Sequence, residues 1–129
     1  MLEALVLTAA LQHADIPDYP VPPVYQSYER CVAERESNGR PHAVNSTGKY
    51  RGMYQFDKEL ARGTTWHIVD WLKTWHSQPK KYAAWLRKTP MNHWPEEVQK
   101  AAFVAVLDGH DKNERWSGKS HFAGGRWHC

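Results

Sequence analysis

Glu36 has the clearest chemical potential in the chain: it stands near the predicted end of a helix and just before a polar, aromatic segment running to Phe56. A carboxyl group on the inward edge of a helix loses hydrating water, which raises its pKa and keeps it protonated near neutral pH. That is the state a general acid must hold. The segment that follows supplies Tyr50, Tyr54, Phe56 and the amide of Gln55, with Asn45 shortly before them. Flat aromatic faces and amides suit a sugar polymer, which offers apolar C–H faces and a rim of hydroxyls. Together the two features point to cleavage of a sugar bond. Taken singly, each also fits an ordinary surface charge or an ordinary hairpin.

The spacing predicts a helix over residues 25–37, with Tyr25, Tyr28, Cys31 and Val32 as an apolar stripe and Glu36 on its edge, four residues after Val32. Glu34 points the other way. Asn38-Gly39 and Pro41 stop the helix, so Glu36 falls at its exit. Asn45-Ser46-Thr47-Gly48 has turn composition. The alternation from Lys49 to Phe56 predicts a short strand, with Tyr50, Gly52, Tyr54 and Phe56 on one side and Lys49, Arg51, Met53 and Gln55 on the other. Gly52 in such a strand leaves room for a ligand to approach the backbone.

These residues carry a resemblance. Val32-Ala33-Glu34-Arg35-Glu36-Ser37-Asn38-Gly39, then Ala43-Val44-Asn45, Gly48 to Phe56 and a closing Trp127-His128-Cys129 resemble the transglycosylase-like domain of the resuscitation-promoting factors, relatives of lysozyme. The likeness is strong over residues 28–57, weak through the middle, and returns at the last three residues. It implies an α+β, mainly α, lysozyme-like domain over 25–129, with a short β-hairpin beside the catalytic helix and an arm and Pro-rich linker over 1–24. It also implies a single catalytic Glu, here Glu36, and peptidoglycan glycan strands as substrate. Asn45, Tyr50, Gln55 and Trp116 become the candidate substrate contacts. Asp57 is a candidate second acid, with capping of the next helix as its other role.

The family's usual cysteine immediately before the catalytic Glu is replaced here by Arg35, and the nearest cysteine is Cys31, one helical turn earlier. By analogy, Cys31 pairs with Cys129 and holds the tail against the catalytic helix. The alternative is two free thiols of a cytosolic protein.

Composition bounds the rest. The chain of 129 residues is one domain, and 24% charged residues speak against a membrane span. A net charge of +3 suits an anionic wall and suits nucleic acid equally, but no RNP or helix-turn-helix signature accompanies it. Leu2 to Leu11 lacks a basic start and carries Glu3, which reads as a short helix or arm rather than a signal peptide. Prolines 17, 20, 22 and 23 make residues 15–24 an extended linker or strap. Export is then expected through phage delivery or as a mature secreted fragment, placing the chain outside the cytoplasm as a monomer.

Helices follow the hairpin. Asp57 can cap one; Thr64 or Thr65 can cap the next, with Trp66, Val69 and Leu72 inward; Pro79 opens another with Tyr82, Trp85 and Leu86. Pro95-Glu96-Glu97 starts an apolar helix ending at Gly109, expected at the centre of the domain. His110, Asp111, His121, His128 and Cys129 lack paired metal-ligand spacing, so neither metal nor cofactor is expected.

Overall fold

The computed structural model describes residues 15–111, Trp127 and Cys129. Five α-helices occur among them: α1 Pro23–Ser37, α2 Lys58–Thr64, α3 Val69–Lys73, α4 Pro79–Arg87 and α5 Glu96–Asp111, with a 3-10 turn at Met91–His93. The fold is mainly α.

The centre is α5. Val98, Ala101, Ala102, Phe103, Val104, Val106 and Leu107 are all buried, so the helix is enclosed nearly all round. Glu96 and Glu97 occupy its first turn, where the helix dipole favours acids. Gly109 lies within the helix, which continues to Asp111, because an isolated glycine costs only about 1 kcal/mol there. Around this axis α2 packs on α5 and α4, and α3 packs on α4. Trp94, Tyr82, Leu72 and Leu86 fill the space between them.

Pro23 opens α1, in a position where the missing N–H loses no bond. Its buried face is Glu29, Val32, Ala33 and Ser37, with Tyr25 and Tyr28 half-buried against the core. Residues 15–22 carry no regular structure and lie along the domain. The Tyr19 N–H donates to Glu97 Oε1 at 2.6 Å, and its ring meets Trp71 edge-on at 5.2 Å. Glu97 in turn pairs with Lys100 at 3.0 Å.

Several expectations are corrected, including the extended strap to residue 24, since α1 already starts at Pro23, and the helix end at Gly109, since α5 runs to Asp111. No strand forms over Lys49–Phe56 among the described residues; only isolated antiparallel bridges join Val44 to Arg51 and Arg51 to Phe56. The reason is backbone conformation: Gly52 at φ +87° and Gln55 at φ +55° turn the chain inside the expected strand. Residues 52 to 56 are consequently all buried, instead of alternating. Trp66, expected inward, is 64% exposed. Thr64 and Thr65 do not cap α3; their hydroxyls donate back to the carbonyls of Ala61 and Arg62, both at 2.7 Å, which leaves Trp66 in the turn beyond α2.

Cys31 and Cys129 form a disulfide with Cα atoms 6.1 Å apart, across a sequence separation of 98. Trp127 is buried beside it, packed on Phe103 at 4.8 Å and Phe56 at 5.6 Å. A loop of that length is worth about 4–5 kcal/mol in the chain-entropy account. Cys31→Ser, or reduction, should lower the melting temperature by roughly 10 °C or more, at about 3 °C per kcal/mol for a domain this size. Calorimetry with and without reductant checks it, and two alkylatable thiols in the native, unreduced protein would contradict the pairing.

Candidate active site

The end of α1 and the tight turn at 51–56 are built as one unit. Asn38 leaves the helix at φ +56° and Gly39 follows at φ +73°, a left-handed exit that turns the chain away at once. Glu36 lies in this last turn and is half-buried, whereas Glu34 and Arg35 are exposed. Beside it, Ser37 is 4% exposed. Its hydroxyl donates to the Met53 carbonyl at 2.8 Å, with the Ala33 carbonyl also near at 3.1 Å, and accepts the Arg40 N–H at 3.0 Å. The residue after the candidate acid therefore fastens the turn to the helix.

The turn has further ties. The Tyr54 hydroxyl donates to Glu29 Oε1 at 2.8 Å, and the Tyr54 carbonyl accepts from Trp127 Nε1 at 2.9 Å. Burial first, then the Glu29 carboxylate, pushes the Tyr54 phenol far above its ordinary pKa, so it remains a proton donor. The ring stacks on Phe103 at 4.3 Å.

From the other side, Gln99 of α5 reaches out of the core. Its Oε1 accepts the Met53 N–H at 2.7 Å. Its Nε2 lies 3.0 Å from each of the carbonyls of Pro41, Met91 and Trp94. A Cβ on residue 52 would come within 2.7 Å of that Oε1, so Gly52 makes room for Gln99 rather than for a ligand. Positive φ gives a second reason for glycine there.

The sequence-derived candidates sit as follows. Asn45 is half-buried, and its Oδ1 accepts from the Tyr50 N–H and the Thr47 hydroxyl, both at 3.1 Å, holding the preceding turn. Tyr50 is half-buried, with Lys49 Nζ 5.4 Å from its ring centre. Gln55 is 4% exposed, and its Nε2 donates to the Gly52 carbonyl at 2.9 Å and the Ala43 carbonyl at 3.4 Å. Its amide hydrogens thus hold the loop. Asp57 caps α2, accepting the Leu60 N–H at 2.8 Å. Trp116, His121 and His128 lie outside the described residues, as does the arm at 1–14. No group of three His, Cys, Asp or Glu side chains able to hold a metal ion occurs among the described residues.

Three residues of this assembly escaped the sequence reading. Glu29, Ala33 and Glu36 share one face at i, i+4 and i+7, a spacing that already puts Glu29 inward with Val32. Gln99 stands alone as an amide in an apolar helix, and a buried amide must find partners. Ser37 is visible in the sequence only as part of the motif.

Compared with family models, with curated proteins and with solved structures, the chain matches none. Function is therefore argued from the residues of the site.

Replacing Gln99 by Leu removes the acceptor of the Met53 N–H and the two amide hydrogens shared among the Pro41, Met91 and Trp94 carbonyls, of which Met91 keeps the Trp94 N–H. The cost is about 1–3 kcal/mol for each buried group left with no partner. Gln99→Leu should lower the melting temperature by roughly 10 °C or more. A calorimetric midpoint equal to wild type would show that the turn is held by other contacts.

Proposed function

We propose that the chain cleaves the β-1,4 bond between N-acetylmuramic acid and N-acetylglucosamine in peptidoglycan, with Glu36 as general acid. The observation that carries this reading is the placement of Glu36: half-buried at the exit of α1, one residue from the Ser37 hydroxyl that clamps the 51–56 turn. The resemblance of this same stretch to the resuscitation-promoting factors supports it.

Glu36 gives its proton to the bridging oxygen as the bond from that oxygen to C1 breaks. The 6-hydroxyl of the same muramic residue attacks C1, and its proton returns to the Glu36 carboxylate. A 1,6-anhydro ring closes and the acid is regenerated without water. This route needs one carboxylate, whereas hydrolysis with retention needs a second about 5 Å away. The use of Asp57 as the cap of α2 favours the one-carboxylate route. Asn45, Tyr50 and Trp116 are the proposed sugar contacts, and Gln55 acts by shaping the loop.

The disulfide belongs to an oxidising compartment, in keeping with action on the wall after secretion or phage delivery. No described helix is long and apolar enough to cross a membrane.

A general acid contributes about 10²–10⁴-fold to rate. Glu36→Gln should fold and lose about a hundredfold or more of its clearing of purified walls. Glu34→Gln should keep the wild-type rate. Equal clearing by Glu36→Gln would remove the assignment, and no clearing by any form would leave a wall-binding or phage structural module.

A further inference from the structure

Arg51 carries a charge that no carboxylate among the described residues neutralises: the ion pairs there join Lys73 to Asp70 and Lys100 to Glu97. It is half-buried at the start of the 51–56 turn, where its N–H and carbonyl pair with those of Phe56, both at 3.0 Å. Its guanidinium is held in place. Nε donates to the Gly48 carbonyl at 3.2 Å and Nη1 to Asn92 Oδ1 at 3.0 Å. Asn92 is 7% exposed and is itself fixed, since the Nδ1–H of His42 donates to its carbonyl at 2.8 Å and its Nδ2 donates to His93 Nε2 at 3.4 Å. Both oxygens that hold the guanidinium are neutral.

The sequence around it explains the missing counter-charge. Residues 37–56 contain Arg40, His42, Lys49 and Arg51 and no Asp or Glu; residues 79–95, which supply Asn92 and His93, contain no acid either. The guanidinium keeps Nη2, which meets no acceptor among the described residues and is not one of the buried donors left unpaired there, so it opens to solvent. A brace between Gly48 and Asn92 calls only for donors, which a neutral amide also has. The unpaired charge is what a brace does not need. A pinned guanidinium with spare donors suits a carboxylate, which it meets through charge-assisted hydrogen bonds. Its place in the site is also set: Met53, two residues on, is fastened to Ser37 beside Glu36, and Tyr50, a proposed sugar contact, precedes it. Immobilisation ahead of binding reduces the entropy lost.

We propose that Arg51 is a specificity-determining residue of the Glu36 site and binds a carboxylate carried by the muramic acid residue of the strand. The proposal rests on the reading of the wall glycan as substrate. Muramic acid bears a lactyl group that its neighbour N-acetylglucosamine lacks. It presents the lactyl carboxylate itself where the stem peptide has been removed, and the carboxylates of the stem peptide where the stem is present. Pairing with either tells one sugar from the next. Arg51 thereby sets which of the two alternating glycosidic bonds lies in register with Glu36.

The test measures binding of soluble wall tetrasaccharides by calorimetry, in the full chain carrying Glu36→Gln so that they stay intact, with and without Arg51→Gln. Two ligands separate the sources of the carboxylate: tetrasaccharides stripped of stem peptides, and tetrasaccharides that keep them, each with free and with amidated carboxylates. The Glu36→Gln chain should bind the free form of at least one ligand about tenfold more tightly than its amidated form, equivalent to about 1.4 kcal/mol. Arg51→Gln should erase that preference and leave binding of the amidated form unchanged. Equal binding of free and amidated forms by the Glu36→Gln chain overturns the proposal. So does a preference that survives Arg51→Gln, including a loss that falls equally on both forms, which marks a brace. Where Arg51→Gln does not fold, Arg51→Lys keeps the charge and loses the fork; its preference should fall severalfold, and an undiminished one overturns the proposal. If the contrast appears while the wild-type chain releases no glycan ends from sacculi, Arg51 stands as the carboxylate reader and the cleavage reading falls.

Discussion

A single side-chain amide in the central helix organises the loops around it. Gln99 is fully buried, and a buried amide is tolerated only when its donors and acceptor are met. Here they are met by backbone groups from three places: Met53 in the tight turn, Pro41 after α1, and Met91 and Trp94 before α5. Each stretch makes a few backbone bonds of its own, such as the reciprocal pair between Arg51 and Phe56 and the Trp94 N–H to the Met91 carbonyl. The amide adds the link between them, and Gly52 is the residue that lets it come close.

With that contact in place, the neighbourhood of Glu36 is braced from three sides. Ser37 ties the helix end to Met53, Glu29 holds the Tyr54 hydroxyl, and Trp127 holds the Tyr54 carbonyl. The disulfide keeps Trp127 where it can do so. A general acid is effective only when its geometry is set before substrate arrives. Among the described residues this bracing uses no strand: side chains reach from α1, α5 and the C-terminal end to one short turn.

Much of the helical frame was legible in the sequence. The apolar run Ala101 to Leu107 marked the central helix, Asn38-Gly39 marked the exit of α1, and Asp57 marked the start of α2. The Cys31–Cys129 pairing came from the resemblance rather than from spacing. Lys49 to Phe56 misled because its alternation has the period of a strand, while Gln55 adopts a positive φ that no side-chain pattern announces. Trp66 misled because it is apolar and in register with Val69; the hydroxyls of Thr64 and Thr65 close α2 first. The roles of Glu29 and Gln99 depend on partners far away in the chain, which periodicity does not encode.

In the proposed reaction one carboxylate, Glu36, cleaves the wall glycan with the muramic 6-hydroxyl as nucleophile. Mass spectrometry of the soluble products from purified sacculi distinguishes this route from hydrolysis. Muropeptides ending in 1,6-anhydro-N-acetylmuramic acid are expected, each lighter by one water than the hydrolysis product. Reducing muramic ends alone would contradict the one-carboxylate route, and an absence of new glycan ends would contradict glycan cleavage altogether.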